Sequence, residues 1–420
     1  MKKLLMAVLL LVVACRTSDS PELTCAESND GLTLPEGFCA IVVADSLGRA
    51  RHLAVSENGD VYVALRQVAE RGGIAALRDL DGDGRADSIA YFGELGGTGI
   101  HLQNGWLYFG ADTLIVRYAL QEGALLPEGD AETIVRGFHD QPSHATKPFD
   151  FDGAGSMYLN IGAPSNACQS PSRMPGVAGQ DPCPLLEEYA GIWRVAAETP
   201  NQTVYGDGMR YATGIRNAVA LTWHAAHNRL YVVQHGRDDL HRLWQDRFTV
   251  EQNNQLPAEE FFVVEEGDDF GWPYCYYDHL KGQKVLGPEY GGDGELADRC
   301  SETKDPIYGF TAHWAPNDVI FYTGTQYPER YQGGALVAFH GSWNREPLQA
   351  GFQVSFLPLG DEGVAGDAEV FAGGFAGTDS LSTPGRAKAR PTGLAQGPDG
   401  SVYISDSVRG RIWRIIYTGS

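Results

Sequence analysis

Six short stretches of this chain hold side chains that chemistry uses and that strands normally exclude. In "HDQPSHATKPFDFDG", His144 stands just ahead of a strand-like segment. An imidazole near its free pKa can take a proton at neutral pH, although a loop histidine without a role reads the same way. In "YATGIRNAVALTWH", Arg216 and Asn217 interrupt an apolar strand. A buried guanidinium needs a carboxylate or a bound anion beside it. In "VVQHGRDDLHRLW", His235, Gly236 and Arg237 lead into Asp238 and Asp239. Carbonyls and carboxylates together suit Ca²⁺, and a solvated turn is the alternative. In "FHGSWNREP", Trp343, Asn344 and Arg345 pair an aromatic face with a cation, a combination that suits a flat anionic ligand. In "GRAKARPTG", Arg386, Lys388 and Arg390 form a basic cluster in an otherwise acidic chain, which an anionic ligand would explain. In "RDLDGDGRADS", Asp79, Asp81, Asp83 and Asp87 follow calcium-loop spacing, but Ala90 stands where an EF-hand has its bidentate Glu. That stretch is either a calcium-stapled hairpin or an Asp/Gly-rich turn, and in both cases structural.

The elements that must position these residues repeat. A turn followed by a tyrosine-centred strand recurs at Tyr62, Tyr108, Tyr158, Tyr231 and Tyr403, with a weaker copy near Val337. Successive gaps are 46, 50, 73, 106 and 66 residues. The first two match one four-stranded propeller blade, and the longer ones match a blade plus insertions near 163–190 and 245–305. Six copies predict an all-β, six-bladed propeller of four-stranded antiparallel blades over 32–420, with little helix. Each echo predicts a half-buried strand next to the central channel. "FCAIVVADSL" (38–47) and "GRIWRIIYTGS" (410–420) are both strand-like and are expected to share the last blade, so that the ring closes without open edges.

Composition narrows the functional classes. The net charge of −22 disfavours nucleic acid and anionic lipid as partners. "MKKLLMAVLLLVVAC" reads as a signal peptide over 1–14, with a lipobox that makes Cys15 the lipidated start of a flexible tether over 15–31. The protein is therefore expected outside the cytoplasm, held on a bacterial membrane only by a lipid anchor. Six further cysteines, in an exported chain, predict disulfides. Proximity along the chain suggests Cys25–Cys39, Cys168–Cys183 and Cys275–Cys300. No CxxCH haem site occurs.

From "TGIRN", "EEGDDFGWPYCYYD", "FHGSWNR" and "RPTGLAQGPDGSVYISD", the chain resembles the pyrroloquinoline quinone (PQQ) dependent sugar dehydrogenases over roughly 32–417, and most of all their L-sorbosone dehydrogenase branch. The resemblance implies a six-bladed propeller and assigns roles. His144 is the base that takes the sugar hydroxyl proton. Arg216 and Asn217 contact the quinone carbonyls. The carbonyls of Gly236 and Arg237 hold an active-site Ca²⁺. Arg390 meets a cofactor carboxylate, and His101 lies near the substrate. Asn344 stands where some members have a lysine, and Thr392 where they have a second arginine, so that Arg345 or Lys388 would hold the remaining carboxylate.

The activity so implied is oxidation of an aldose or related hydroxy-aldehyde, with electrons passing to an external quinone or cytochrome. Two rivals stay open at this stage: a propeller that binds sugar or a partner without reaction, and a metal-dependent lactonase. The cation in "TGIRN" argues against the lactonase.

Overall fold

The computed structural model describes residues 23–69, 71–360 and 363–419. The leader and Cys15 lie outside them. Six antiparallel sheets follow one another around a central axis, each starting at the axis and stepping outward. Blade one begins with Ala50–Val55, blade two with Gly97–Gln103, blade three with Phe149–Phe151, blade four with Ala218–His224, blade five with Pro316–Phe321 and blade six with Pro391–Gln396. Helix is confined to short pieces such as Val250–Gln255. None among the described residues is long and apolar enough to cross a membrane.

The echoes mark the second strand of each blade rather than the channel-lining one. Tyr62, Tyr108, Tyr158, Tyr231 and Tyr403 lie opposite Ala54, His101, Asp150, Thr222 and Ala395 of the innermost strands. These tyrosines are buried, not half-buried. Radial stacking explains the difference, because a second strand has a neighbouring blade on both faces. In Val61–Ala69, Val63 and Leu65 pack towards blade six while Tyr62 and Ala64 pack towards blade two. The period of two thus serves two interfaces at once. Each of the six blade–blade seams has its own apolar cluster. Hairpin turns supply the local geometry. Asn104 and Gly105, at φ 50° and 77°, make the two-residue turn between the first strands of blade two, where both positions need positive φ.

Closure is as expected. Phe38–Ala44 pairs antiparallel with Ile412–Tyr417 as the outermost strand of blade six. Phe38 then inserts edge-on among Tyr327, Tyr331 and Phe371 of the blade-five side, with ring centroids at 4.8, 5.4 and 5.4 Å. Of the stretch expected as a tether over 15–31, the described residues 23–31 are docked on the ring. Cys25 is bonded to Cys39, Ala26 N–H donates to the Ala40 carbonyl, and Asp30 accepts from Trp413 Nε1 at 2.9 Å and pairs with Arg411. The chain is therefore docked on blade six from the start of its described part. The other cysteines join as Cys168–Cys183 and Cys275–Cys300, which staple the two insertions.

Topology also sets which loops share a face. The innermost strands start at one rim, and the second-to-third and blade-to-blade connections return to it. The loops carrying His144, Arg216, Asp238, Trp343 and Arg390 all meet there. The Asp79 loop joins Gly72–Arg78 to Ser88–Phe92, a third-to-fourth connection, and so lies at the opposite end. Asp79, Asp81 and Asp87 can bring one carboxylate oxygen each within 4.8 Å. Asp83 is not part of that group; its Oδ1 accepts from Arg85 N–H at 2.8 Å.

Because Phe38 is both a ladder residue and the centre of an aromatic cluster, Phe38→Ala should destabilise the ring by about 3–5 kcal/mol. Denaturant unfolding followed by tryptophan fluorescence checks this, and an unchanged midpoint would show that the clasp contributes little.

Candidate active site

A cavity of about 120 Å³ at the rim is lined by His144, Arg173, Arg216, His235, Asp238, Glu259, His313 and Trp343. The loop before blade three delivers His144 at φ 54°, a left-handed conformation that a histidine adopts only when its surroundings enforce it. The enforcement is visible. Gln141 Nε2 donates to the carbonyls of Ser143, His144 and Gly162 at 2.7, 2.9 and 3.0 Å. Gly162 lets the loop close in, since a Cβ there would stand 2.7 Å from His144 Cβ and 2.4 Å from Asn217 Oδ1. The His144 ring meets the Ala163 carbonyl through Nδ1 at 2.5 Å. A carbonyl only accepts, so Nδ1 carries the hydrogen and Nε2 keeps its lone pair. Burial and the nearby Arg216 cation push this imidazole down to about 3, which keeps it neutral.

Arg216 is buried and fully engaged. Its Nε donates to the Asn166 carbonyl at 3.2 Å. One terminal nitrogen donates to the carbonyls of Gly236 at 2.9 Å and His235 at 3.4 Å, and the other to Asn166 Oδ1 at 3.1 Å and Asp238 Oδ2 at 2.8 Å. These contacts use all five N–H groups of a guanidinium. The expected direct contact from Arg216 to a quinone carbonyl is therefore corrected: Arg216 lends the cavity its charge while its hydrogens serve the protein. Asn217 is buried with Oδ1 unpartnered, so it presents an acceptor at the edge of the His144 loop.

Of the two carbonyls expected to hold calcium, at Gly236 and Arg237, that of Gly236 accepts from Arg216 at 2.9 Å. The Arg237 side chain turns to a buried pair with Glu289. Both oxygens of Asp238 are engaged: Oδ2 takes Arg216 and Arg173, and Oδ1 takes Asn344 Nδ2 at 2.9 Å. Burial alone would raise its carboxyl, but Arg216 and Arg173 outweigh that and hold it well below the ordinary carboxylate range.

Arg173, which sequence reasoning missed, comes from the insertion stapled by Cys168–Cys183. It pairs with Asp238 and Asp239 and stands 5.4 Å from the centroid of the exposed Trp343 ring. Nothing in its spacing marks it. Glu259 was also missed. It accepts from the N–H groups of Gly236 and Ala315 at 2.8 and 3.0 Å, and burial pushes it up to about 8.

The remaining expected residues divide. Asn344 reaches the site as a donor to Asp238 and leaves its Oδ1 unpartnered. Arg345 lies outside the cavity lining and donates to the carbonyls of Asn254 and Ala312, bracing the insertion. Lys388 is exposed, with its stem against the Gly377 turn. Arg390 sits on the rim and donates to the carbonyls of His340 and Gly341 at 2.8 and 2.7 Å. Thr392 donates to the Arg390 carbonyl at 3.0 Å. His101 belongs to a different cavity, of about 220 Å³, inside the channel with His52, Asp150 and Asp318. At about 3.3 Å per residue it lies roughly 13 Å along its strand from the rim end. Its Nδ1 faces Asp150 at 3.3 Å, so the expected place beside the substrate does not hold.

The comparisons with known proteins agree with this architecture. The profile of the TrAA12-like family matches residues 32–418. Among curated proteins, an uncharacterised protein of Borreliella burgdorferi is 28% identical over 208 residues, covering 49% of this chain and 48% of that protein. The pyrroloquinoline quinone-dependent pyranose dehydrogenase of Coprinopsis cinerea is 27% identical over 245 residues, covering 51% of this chain and 32% of that protein. The matches thus span about half or less of these relatives' length. Solved structures give the fold. The PQQ domain of the Coprinopsis cinerea pyranose dehydrogenase superposes with a TM-score of 0.73 at 18% identity, over 92% of this chain and 97% of that one. The calcium structure of the Trichoderma reesei family AA12 enzyme gives 0.75 at 18%, over 95% and 99%. The soluble aldose sugar dehydrogenase of Escherichia coli gives 0.56 at 15%, over 90% and 99%.

Burial sets the response to pH. Seven imidazoles, at His52, His144, His224, His235, His279, His313 and His340, are pushed below their ordinary value by burial. Below about pH 6.5 the unfolded chain protonates them and the folded chain does not, so each removes stability as pH falls. Four carboxyls raised by burial, at Glu259, Glu260, Asp318 and Asp406, act with the opposite sign. Seven outweigh four. The melting temperature of the cofactor-free protein should fall between about pH 6.5 and 4.5; a flat or rising profile would contradict the buried neutral imidazoles.

Proposed function

We infer the function of this chain from its family: over residues 32–418 it belongs to the TrAA12-like family, and we propose that it is an oxidoreductase that oxidises a sugar with PQQ. The Coprinopsis cinerea relative, a PQQ-dependent pyranose dehydrogenase by name, supports the cofactor and the substrate class. The single observation that carries the reading is His144, a neutral imidazole with a free Nε2 at the edge of a cationic rim.

The residues present fit a flat polyanion. Arg390 offers a guanidinium with no carboxylate within pairing distance, while Arg216 and Arg173, which line the cavity with His144, are paired with Asp238. The buried acceptors Asn217 Oδ1 and Asn344 Oδ1 lack donors, which sugar hydroxyls supply. When bound, PQQ supplies the two-electron acceptor for the sugar C–H bond. The chain's own residues do the rest. His144 Nε2 accepts the hydroxyl proton, and the Ala163 carbonyl stabilises the imidazolium through Nδ1–H. Gln141 and Gly162 keep the ring in place during that transfer. Trp343 and Arg173 wall one side of the cavity. A Ca²⁺ held by the Gly236 and Arg237 carbonyls would share the first of them with Arg216.

The substrate is an aldose or related hydroxy-aldehyde of the glucose or sorbosone type. Electrons pass to an external quinone or cytochrome, since the sequence has no CxxCH site. Three disulfides support export to an oxidising compartment, with a lipid anchor at Cys15.

Cofactor-free protein is given PQQ and a sugar panel, and a redox dye is followed. Dye reduction that needs both PQQ and a sugar is the expected result, and none with any aldose would overturn the reading. His144→Gln should lower kcat about 10²–10⁴-fold while PQQ binds as before. Normal turnover in that variant would remove His144 from the role of base.

A further inference from the structure

Several buried arginines of this protein are paired with carboxylates. Arg78 is held by Asp60, Arg117 by Glu132, Arg216 by Asp238, Arg237 by Glu289 and Arg411 by Asp30 and Asp45. Arg210 and Arg345 give their hydrogens to carbonyls instead, and two at the rim also lack a carboxylate. Arg51 opens the innermost strand of blade one, Ala50–Val55, and Arg390 immediately precedes that of blade six, Pro391–Gln396. Among the described residues neither makes an ion pair. Arg51 makes no side-chain hydrogen bond, and its Nε is buried without a partner. Arg390 spends Nε and one terminal nitrogen on the carbonyls of His340 and Gly341.

The backbone holds Arg51 firmly even though its side chain is unsatisfied. Its carbonyl accepts from Ser405 Oγ at 2.5 Å, and blade six passes so close that a Cβ on Gly393 would stand 2.5 Å from that oxygen. The cations around it outweigh the more weakly acting carboxylates of Asp112 and Asp318. Arg66 is a cation already spent on Asp112 through two bonds of 2.6 and 2.8 Å. His340 and His235 are buried and neutral, pushed down in part by Arg51 itself. Burial, Arg66 and Arg390 together lower the Arg51 guanidinium to about 10. Two neighbouring guanidinium groups on fixed backbone, with no protein carboxylate within pairing distance, leave room for an anion that something else brings.

Resting on the PQQ reading above, we propose that Arg51 and Arg390 form a clamp across the seam of blades one and six that binds carboxylates of the cofactor. Arg51 donates from its two terminal nitrogens, which have no partner among the described residues. Arg390 donates from the nitrogen its carbonyl partners leave free. The clamp lies across the rim from the His144 cavity, with His235 between them, flanked by Arg216 on one side and Arg51 on the other.

The test is equilibrium binding to the purified, cofactor-free chain, read by tryptophan fluorescence. The probes are PQQ and benzene-1,3,5-tricarboxylate, which has the charges but no quinone. Arg51→Gln and Arg390→Gln should each weaken both ligands about 10–100-fold, and Arg51→Lys should restore part of the loss. Without ligand, Arg51→Gln should melt at or above the temperature of the unaltered protein, because it removes an unpaired cation. Arg51→Gln that binds PQQ as tightly as the unaltered protein would overturn the clamp, as would failure of the unaltered protein to bind either carboxylate. Arg51-dependent binding of both probes, with no sugar oxidised, would keep the clamp and discard the oxidoreductase reading.

Discussion

A guanidinium buried away from water must place five N–H groups, and Arg216 places all of them. Its acceptors come from two segments far apart in sequence: Asn166 in the insertion of blade three, and the His235–Asp238 turn of blade four. Neither segment has regular structure to fix it. Desolvating the charge is expensive, and a misplaced acceptor leaves that cost uncompensated. The two loops are therefore bound to one geometry, and what they carry follows. Arg173 arrives on the same Asp238 carboxylate, Asn344 on its other oxygen, and Trp272 Nε1 on the Asn166 carbonyl at 2.9 Å. The pair adds less to global stability than to the position of the rim.

Below the rim the same kinds of side chain do different work. The innermost strands cannot pair across the channel, so side chains from neighbouring blades satisfy their exposed backbone groups. Asp150 accepts from Trp223 N–H and Thr222 Oγ1, Asp318 accepts from Leu394 N–H, and His52 meets the Asn317 carbonyl. Such ties latch blade three to four, five to six and five to one. A channel lined with His and Asp thus resembles a catalytic centre in composition while its polar atoms are committed to holding the ring.

The fold was legible because one short pattern had to be written once per blade. Tyr62, Tyr108, Tyr158, Tyr231 and Tyr403 each fill a seam, and no other arrangement buries six such strands on both faces. The pattern could not say that these strands are second from the axis, since burial on two faces looks the same at either position. For the site, residue type was readable and partner was not. His144 and Arg390 were found by chemistry at the ends of strands, and the structure puts them on one rim. Arg216 was found too, but its role depends on Asn166 and Gly236, which come together only through the fold. Arg173 and Glu259 left no local sign. Arg51 left a faint one, a cation at the head of an innermost strand in "GRARHLAV", overlooked beside the denser "GRAKARPTG". Lys388 in that denser cluster is exposed, and charge counted along the chain says nothing of burial.

The rim's charge links recognition to chemistry. Cations that attract a polyanion also disfavour protons on the imidazoles beside them, and this is why His144 is so weak a base alone, with Arg216 adding to the effect of burial. An anion seated against those cations cancels much of their field, and a nearby imidazole then binds a proton more readily. The depressed value keeps Nε2 unprotonated, and the Ala163 carbonyl fixes the tautomer. Burial, charge and one short hydrogen bond together make an acceptor that is always available.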